Sequence, residues 1–265
     1  MTAQSMAAKP TAIPGAPGAM FLGFGTVFRK DIAEWMRGRR ALVVGLVSIA
    51  GAVLTTVISS IAGEAPAGEP PLPTDPTINV LLGWEGLTFQ IVALLATIGL
   101  LTTERDRGTL AWSLSNPVSP TSVIASKWSS ALLVYGLVGV LLPLGISSVI
   151  ATIVYGSVPN LVTVGIFAGL YLMVPAIYIG LTVALGTFVK STAGIAGIGF
   201  AVMLLPSAIG ALLPVVNQVS PTSIGGWVMA TVTGGSASAL TIAGWVVSMG
   251  VLTIGAKLIF DRQEL

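Results

Sequence analysis

The chain has 265 residues, 54% of them hydrophobic and 8% charged, with twelve Lys and Arg against ten Asp and Glu. Soluble globular domains carry roughly 25% charged residues, so this composition excludes one and points to an all-α membrane protein with several spans. Cysteine and histidine are both absent, which removes disulfides, thiolate and imidazole metal sites, and Ser-His or Cys-His catalysis.

Residues 1–20 hold Pro10, Pro14 and Pro17 among Ala and Gly, with no apolar core for a signal peptide; a disordered cytoplasmic tail is expected. Over residues 21–40, Phe21, Phe24, Phe28, Ile32 and Trp35 share one helical face, with Lys30, Glu34 and Arg37 opposite. That pattern predicts an amphipathic helix in the membrane interface. A helix packed on the chain's own cytoplasmic helix ends has the same pattern. From residue 41 onward, apolar runs of about 20 residues, each able to cross roughly 30 Å of hydrocarbon, predict six spans at residues 41–63, 84–103, 128–154, 161–189, 193–215 and 239–258.

Basic residues check that count, because they concentrate in cytoplasmic loops. Six precede the first span, Arg105, Arg107 and Lys127 lie between the second and third, Lys190 between the fourth and fifth, and Lys257 and Arg262 at the end. None falls in an outer loop, so both termini are expected in the cytoplasm and the protein in the cell membrane. A pI near 9.1 therefore reflects orientation and not nucleic-acid binding. The first outer loop instead carries Glu64, Glu69 and Asp75 among five prolines, a composition that favours extended chain. Lys190-Ser191-Thr192 leaves room only for a tight hairpin. Pro143, Pro175 and Pro206 fall inside spans as candidate hinges, and Gly165/Gly169 and Gly244/Ser248 are small-xxx-small pairs. Residues 216–238, with Ile224, Trp227, Val228 and Met229, predict a short re-entrant or interfacial hairpin on the outer side.

The longest polar segment between two apolar runs is residues 104–127. Asp106 can cap a short helix, Asn116-Pro117 stops it, and Ser119-Pro120 restarts helix with proline at its first position. The expected product is a small helix across two membrane-embedded helix ends.

No phosphate-binding loop and no dinucleotide fingerprint occurs, so the chain itself is expected to bind no ATP. Charged groups at membrane depth mark function by default, and no predicted span centre carries one; Glu85 and Glu104 stand at span ends. Neither a catalytic residue nor a metal site is expected. A secondary transporter or channel, and a membrane anchor that recruits a soluble partner, remain open on these observations.

The loop also carries a family pattern: an acid, a second acid two residues on, Gly-Thr-Leu, a short apolar turn, Pro-Val-Ser, and a Lys before the third span. Here these are Glu104, Asp106, Gly108-Thr109-Leu110, Leu114, Pro117-Val118-Ser119 and Lys127. In this the chain resembles the permease subunits of type-2 ATP-binding-cassette (ABC) transporters, over residues 21–265. The entry helix, the six spans, Ser220-Pro221 and the tail at residues 260–265 are consistent with it. Ala111 stands where a glutamate commonly follows Gly-Thr-Leu, and Pro120 where a basic residue commonly follows Pro-Val-Ser.

The resemblance implies that the loop helix is a coupling helix that docks on a separate ATP-binding subunit, which would hold the ATP and Mg. A second permease, identical or a paralogue, would complete the path through the bilayer for export. Gly108 would allow close approach, Leu110, Trp112 and Leu114 would offer apolar knobs, and Glu104, Arg105, Asp106 and Arg107 would pair across the interface, with Thr109 and Pro117 completing the motif. The alternative is that the charges only solvate a loop whose apolar side chains enter the bilayer.

Overall fold

The structure, a computed structural model, describes residues 21–61, 75–82, 84, 87–109 and 118–261. The expectations for the tail at 1–20, most of the proline-rich loop, Glu85, Leu110, Trp112, Leu114, Pro117 and the tail at 262–265 lie outside the described residues. Among those described, every regular element is helical. In chain order they are α1 (Phe24–Arg37), α2 (Arg39–Ile61), α3 (Pro76–Leu82), α4 (Leu87–Thr97), α5 (Thr102–Asp106), α6 (Pro120–Tyr155), α7 (Leu161–Phe188), α8 (Thr192–Gly210), α9 (Pro214–Val219), α10 (Ile224–Thr233) and α11 (Ala239–Asp261).

Five of these, α2, α6, α7, α8 and α11, are long and apolar enough to cross a membrane. The sixth expected span, residues 84–103, differs. Its regular part is α4, 11 residues or about 16 Å of helix. The Thr97 hydroxyl turns back on the carbonyls of Ala93 and Leu94, and Gly99 follows two residues later. Back-bonding and glycine both weaken a helix; a turn intervenes and the chain resumes as α5.

Other boundaries follow local chemistry. The Ser119 hydroxyl accepts from the Ser122 amide at 3.1 Å, with Pro120 at the first helical position, so α6 begins eight residues before the expected third span. Asn160 caps α7 through the amides of Val162 and Thr163. Ser191 caps α8 through Gly194, closing the tight hairpin predicted at Lys190. A π turn at Gly136–Leu141 interrupts α6, and α7 breaks at Leu172. Both irregularities lie beside prolines named as hinges: the rings of Pro143 and Pro175 crowd the carbonyls four residues back, Gly139 and Tyr171, and supply no amide. Pro206, by contrast, sits within continuous α8.

The segment expected on the outer side forms two short helices, α9 and α10, joined by a turn at Pro221–Ser223. Ile224, Val228 and Met229 are buried there, while Trp227 is half-buried. A side chain at Gly244 would strike the Val219 carbonyl, so α9 ends against α11; Gly165 and Gly169 meet nothing within 4 Å among the described residues.

The core centres on Trp84, stacked on Phe89 at 4.0 Å and met edge-on by Tyr171 at 5.1 Å. The Tyr171 hydroxyl donates to the Trp84 carbonyl at 2.9 Å. This cluster fastens the chain entering α4 to the middle of α7. Replacing Trp84 by alanine opens a cavity that costs about 3–5 kcal/mol, to be read as a lowered Tm of the detergent-purified protein.

Candidate functional site

The α1 end of the bundle gathers most of the described charge. Helix α1 turns Val27, Asp31 and Trp35 inward against the first turns of α6. The predicted single apolar face is thus divided: Trp35 is buried, Phe24, Phe28 and Ile32 are half-buried, and Phe21 faces outward. Phe24 and Phe28 stack at 5.5 Å. At the entrance to α1, Gly23 has φ +78° and lies so close to Val118 that a side chain would collide with it. The Leu22 carbonyl there accepts the Ser119 amide at 3.1 Å.

Asp31 meets a buried cation. The Lys127 ammonium, 2% exposed, lies 2.6 Å from Asp31 Oδ1 and 2.8 Å from Glu104 Oε1. Ser126 donates to Asp31 Oδ2 at 2.5 Å, and Lys30 reaches Glu104 Oε1 at 2.8 Å. A lone buried ammonium costs several kcal/mol, a penalty offset only by well-placed partners; here two carboxylates and two lysines balance. The carboxylates of Asp31, Glu34 and Glu104 come within 4.8 Å of one another, with lysines supplying the opposing charge.

Burial pushes the Glu104 carboxyl up, but Lys127 and then Lys30 outweigh it and hold it below its ordinary 4.5. Burial likewise lowers Lys30, and Glu104 reverses that, leaving it above its ordinary 10.5.

The next residue faces elsewhere. Arg105 donates to the Thr187 carbonyl at 2.9 Å, at the C-terminal end of α7, where a cation suits the helix dipole. Two consecutive residues of five-residue α5 therefore grip α1 and α6 on one side and α7 on the other. Above them, α4 and α7 run side by side in the same direction through polar rungs. Tyr178 donates to Gln90 Oε1 at 2.7 Å, and Thr182 to the Thr97 hydroxyl at 2.9 Å. The Tyr135 hydroxyl ties α6 to the Phe89 carbonyl at 2.7 Å, and the Trp128 indole ties α6 to the Ala176 carbonyl at 3.1 Å.

Of the residues singled out in sequence, Glu104 and Arg105 belong to this hub. Asp106 is the last residue of α5, and the helix it is expected to cap lies largely outside the described residues; Asp106 and Arg107 are exposed without an ion pair among the described residues. Gly108 has φ +69°, a backbone conformation that favours glycine, and among the described residues nothing lies within 4 Å of where a side chain would start. Thr109 donates to the Glu104 carbonyl at 3.2 Å, holding that turn closed. Asp31 was missed, although a carboxylate between Phe28 and Trp35 on the apolar face was the available signal. The unusual Pro120 has a local explanation as the first residue of α6.

A family model described as ABC-2 family transporter protein matches residues 86–265, and the chain belongs to that family. A search of curated proteins finds no match.

Exchanging Lys127 for methionine strands Asp31 among buried groups and costs about 3–5 kcal/mol. The Asp31→Leu/Lys127→Met pair loses less than the sum of its single variants, which a double-mutant cycle on unfolding free energy measures. Because Glu104 is depressed, its contribution is complete above its unfolded value and lost as pH falls through the folded one. Stability falling as the pH drops through and below the ordinary glutamate value of 4.5, with a shallower slope in Glu104→Gln, is the expected result.

Proposed function

The chain being a transmembrane permease subunit of the ABC-2 transporter family, we propose that it works in an ATP-driven exporter. It pairs with a second permease, identical or a paralogue, and takes its stroke from separate ATP-binding subunits through residues 104–127. ATP and Mg belong to those subunits. Six crossings place both termini in the cytoplasm, with the second, residues 84–103, broken after α4 and α1 along the cytoplasmic interface. The outward Phe21, Phe24 and Phe28 side of α1 then meets lipid while Asp31 and Trp35 meet protein.

One observation carries this reading: Glu104 and Arg105, at the root of the loop, are bonded to three different helices. A push on the loop passes through short charge-assisted bonds into α1, α6 and α7 together. Exposed Asp106, Arg107 and Gly108 present the outer side of the same turn to a partner. Helices α8 and α11 bury little of their apolar surface within the chain, which suits pairing with a second permease. Pro143 and Pro175, beside the π turn and the helix break, supply the points at which α6 and α7 bend. Uncharged span interiors favour an amphipathic or lipid-like cargo over a small ion.

The test is reconstitution with the ATP-binding subunit. Leu110→Asp is expected to abolish copurification, and Glu104→Gln to retain ATP hydrolysis while transport per ATP falls roughly tenfold, a loss of about 1.4 kcal/mol in coupling. Normal transport by Leu110→Asp sinks the coupling role. Flux in vesicles lacking an ATPase identifies an ATP-independent transporter instead, and a stable complex whose turnover ignores every substrate identifies an anchor.

A further inference from the structure

The first residues of α2 pose an electrostatic problem that the hub does not solve. Arg39 and Arg40 open a 23-residue helix with no acidic residue in its first turn. Cations are disfavoured there, because the amide dipoles already concentrate positive charge at a helix N-terminus. Both guanidinium groups are exposed, and neither has an ion pair among the described residues.

These two arginines head a groove of about 370 Å³ between α2 and α4. Below them its walls are apolar, with Val43 and Val47 on α2 and Val92 and Leu95 on α4. From Arg40 to Val47 the groove descends about 10 Å along the helix, within the depth of one leaflet's hydrocarbon. The Arg40 guanidinium lies over Gly99, where a side chain would come within 3.3 Å of it. Gly99 stands in the turn joining α4 to α5, five residues before Glu104.

We propose that this groove is a binding site for an anionic phospholipid of the leaflet on the α1 side. Its phosphate lies between Arg39 and Arg40 and one acyl chain runs down between α2 and α4. Charge complementarity selects the occupant: two cations and a helix N-terminus call for an anion, the apolar walls call for a chain attached to it, and a free phosphate satisfies only the first. The site adjoins the α4–α5 turn, so an occupied groove braces the segment from which Glu104 and Arg105 project. This inference concerns lipid alone and holds whether or not the loop couples to an ATPase.

The test uses the full-length chain purified in mild detergent, with phosphatidylglycerol and phosphatidylcholine of matched acyl chains added, and bound lipid counted by native mass spectrometry. The wild type is expected to retain phosphatidylglycerol preferentially. Arg39→Gln/Arg40→Gln is expected to lose that preference at least tenfold, in keeping with two basic groups at an anionic surface. Arg29→Gln/Lys190→Gln, which removes the same charge from exposed positions elsewhere, is expected to keep it. Val47→Trp, at a position 42% exposed and so tolerant of bulk, is expected to lower occupancy with Arg39 and Arg40 intact, while inorganic phosphate fails to displace the lipid. Equal retention of the two lipids by the wild type overturns the proposal. So does an equal loss in the control pair, which means diffuse surface charge, or unchanged occupancy in Val47→Trp, which places the lipid elsewhere. Lipid displaced by a second copy, seen as dimer mass at the expense of bound lipid, overturns it as well.

Discussion

A buried ammonium group governs the α1 end of this molecule. Lys127 sits in the second turn of α6 with almost no solvent contact, and a charge so placed persists only while its partners do. Asp31 comes from α1 and Glu104 from α5. Helix α1 therefore cannot lift away, nor α5 rotate, without uncovering a charge in a poorly solvated place. Three segments far apart in sequence become one body by this constraint. The apolar contacts of Val27 and Trp35 alone would hold α1 far less specifically.

The membrane part depends on a related principle. Lipid chains are as apolar as leucine, so helices inside a bilayer gain little from hiding apolar surface from one another; packing and polar contacts decide which helices stay together. The rungs from Tyr171 through Tyr178 and Thr182 to Thr187 answer that need between α7 and the α4–α5 segment. Each contributes on the order of 1 kcal/mol. Their spacing along two parallel helices resists sliding as well as separation. Tyr135 and Trp128 add α6 to the same unit.

Much of this was legible in the sequence, and what was missed has physical causes. Long apolar runs declare themselves, and so do a serine-proline start and a three-residue link, which is why the start of α6 and the α7–α8 hairpin were readable. The Glu104 motif drew attention to the loop whose root carries the charged hub. The partners of that motif were not readable, because pairing between Lys127 and Asp31 spans 96 residues and no local pattern encodes it. Hydropathy averaging also smoothed over Thr97 and Gly99, two residues that divide an apparent span into α4, a turn and α5. The hydroxyls and amide in the rungs lie singly among apolar neighbours, so they barely register in a window average. The fold class thus follows from composition, whereas the hub follows from tertiary geometry.

The π turn in α6 bears on what one helix can do at its two ends. One extra residue per turn advances the azimuth of everything beyond it by about 100° relative to a regular helix. Before the turn, α6 directs Ser126 and Lys127 at α1; beyond it, the same helix lies against α2 and α3, with Ser147, Ser148 and Ala151 buried. A single crossing thereby serves two sets of neighbours that a straight helix would have to compromise between. Deleting one residue within Gly136–Leu141 would restore regular winding and swing the half beyond it out of its seat, while leaving the half that carries Lys127 in register.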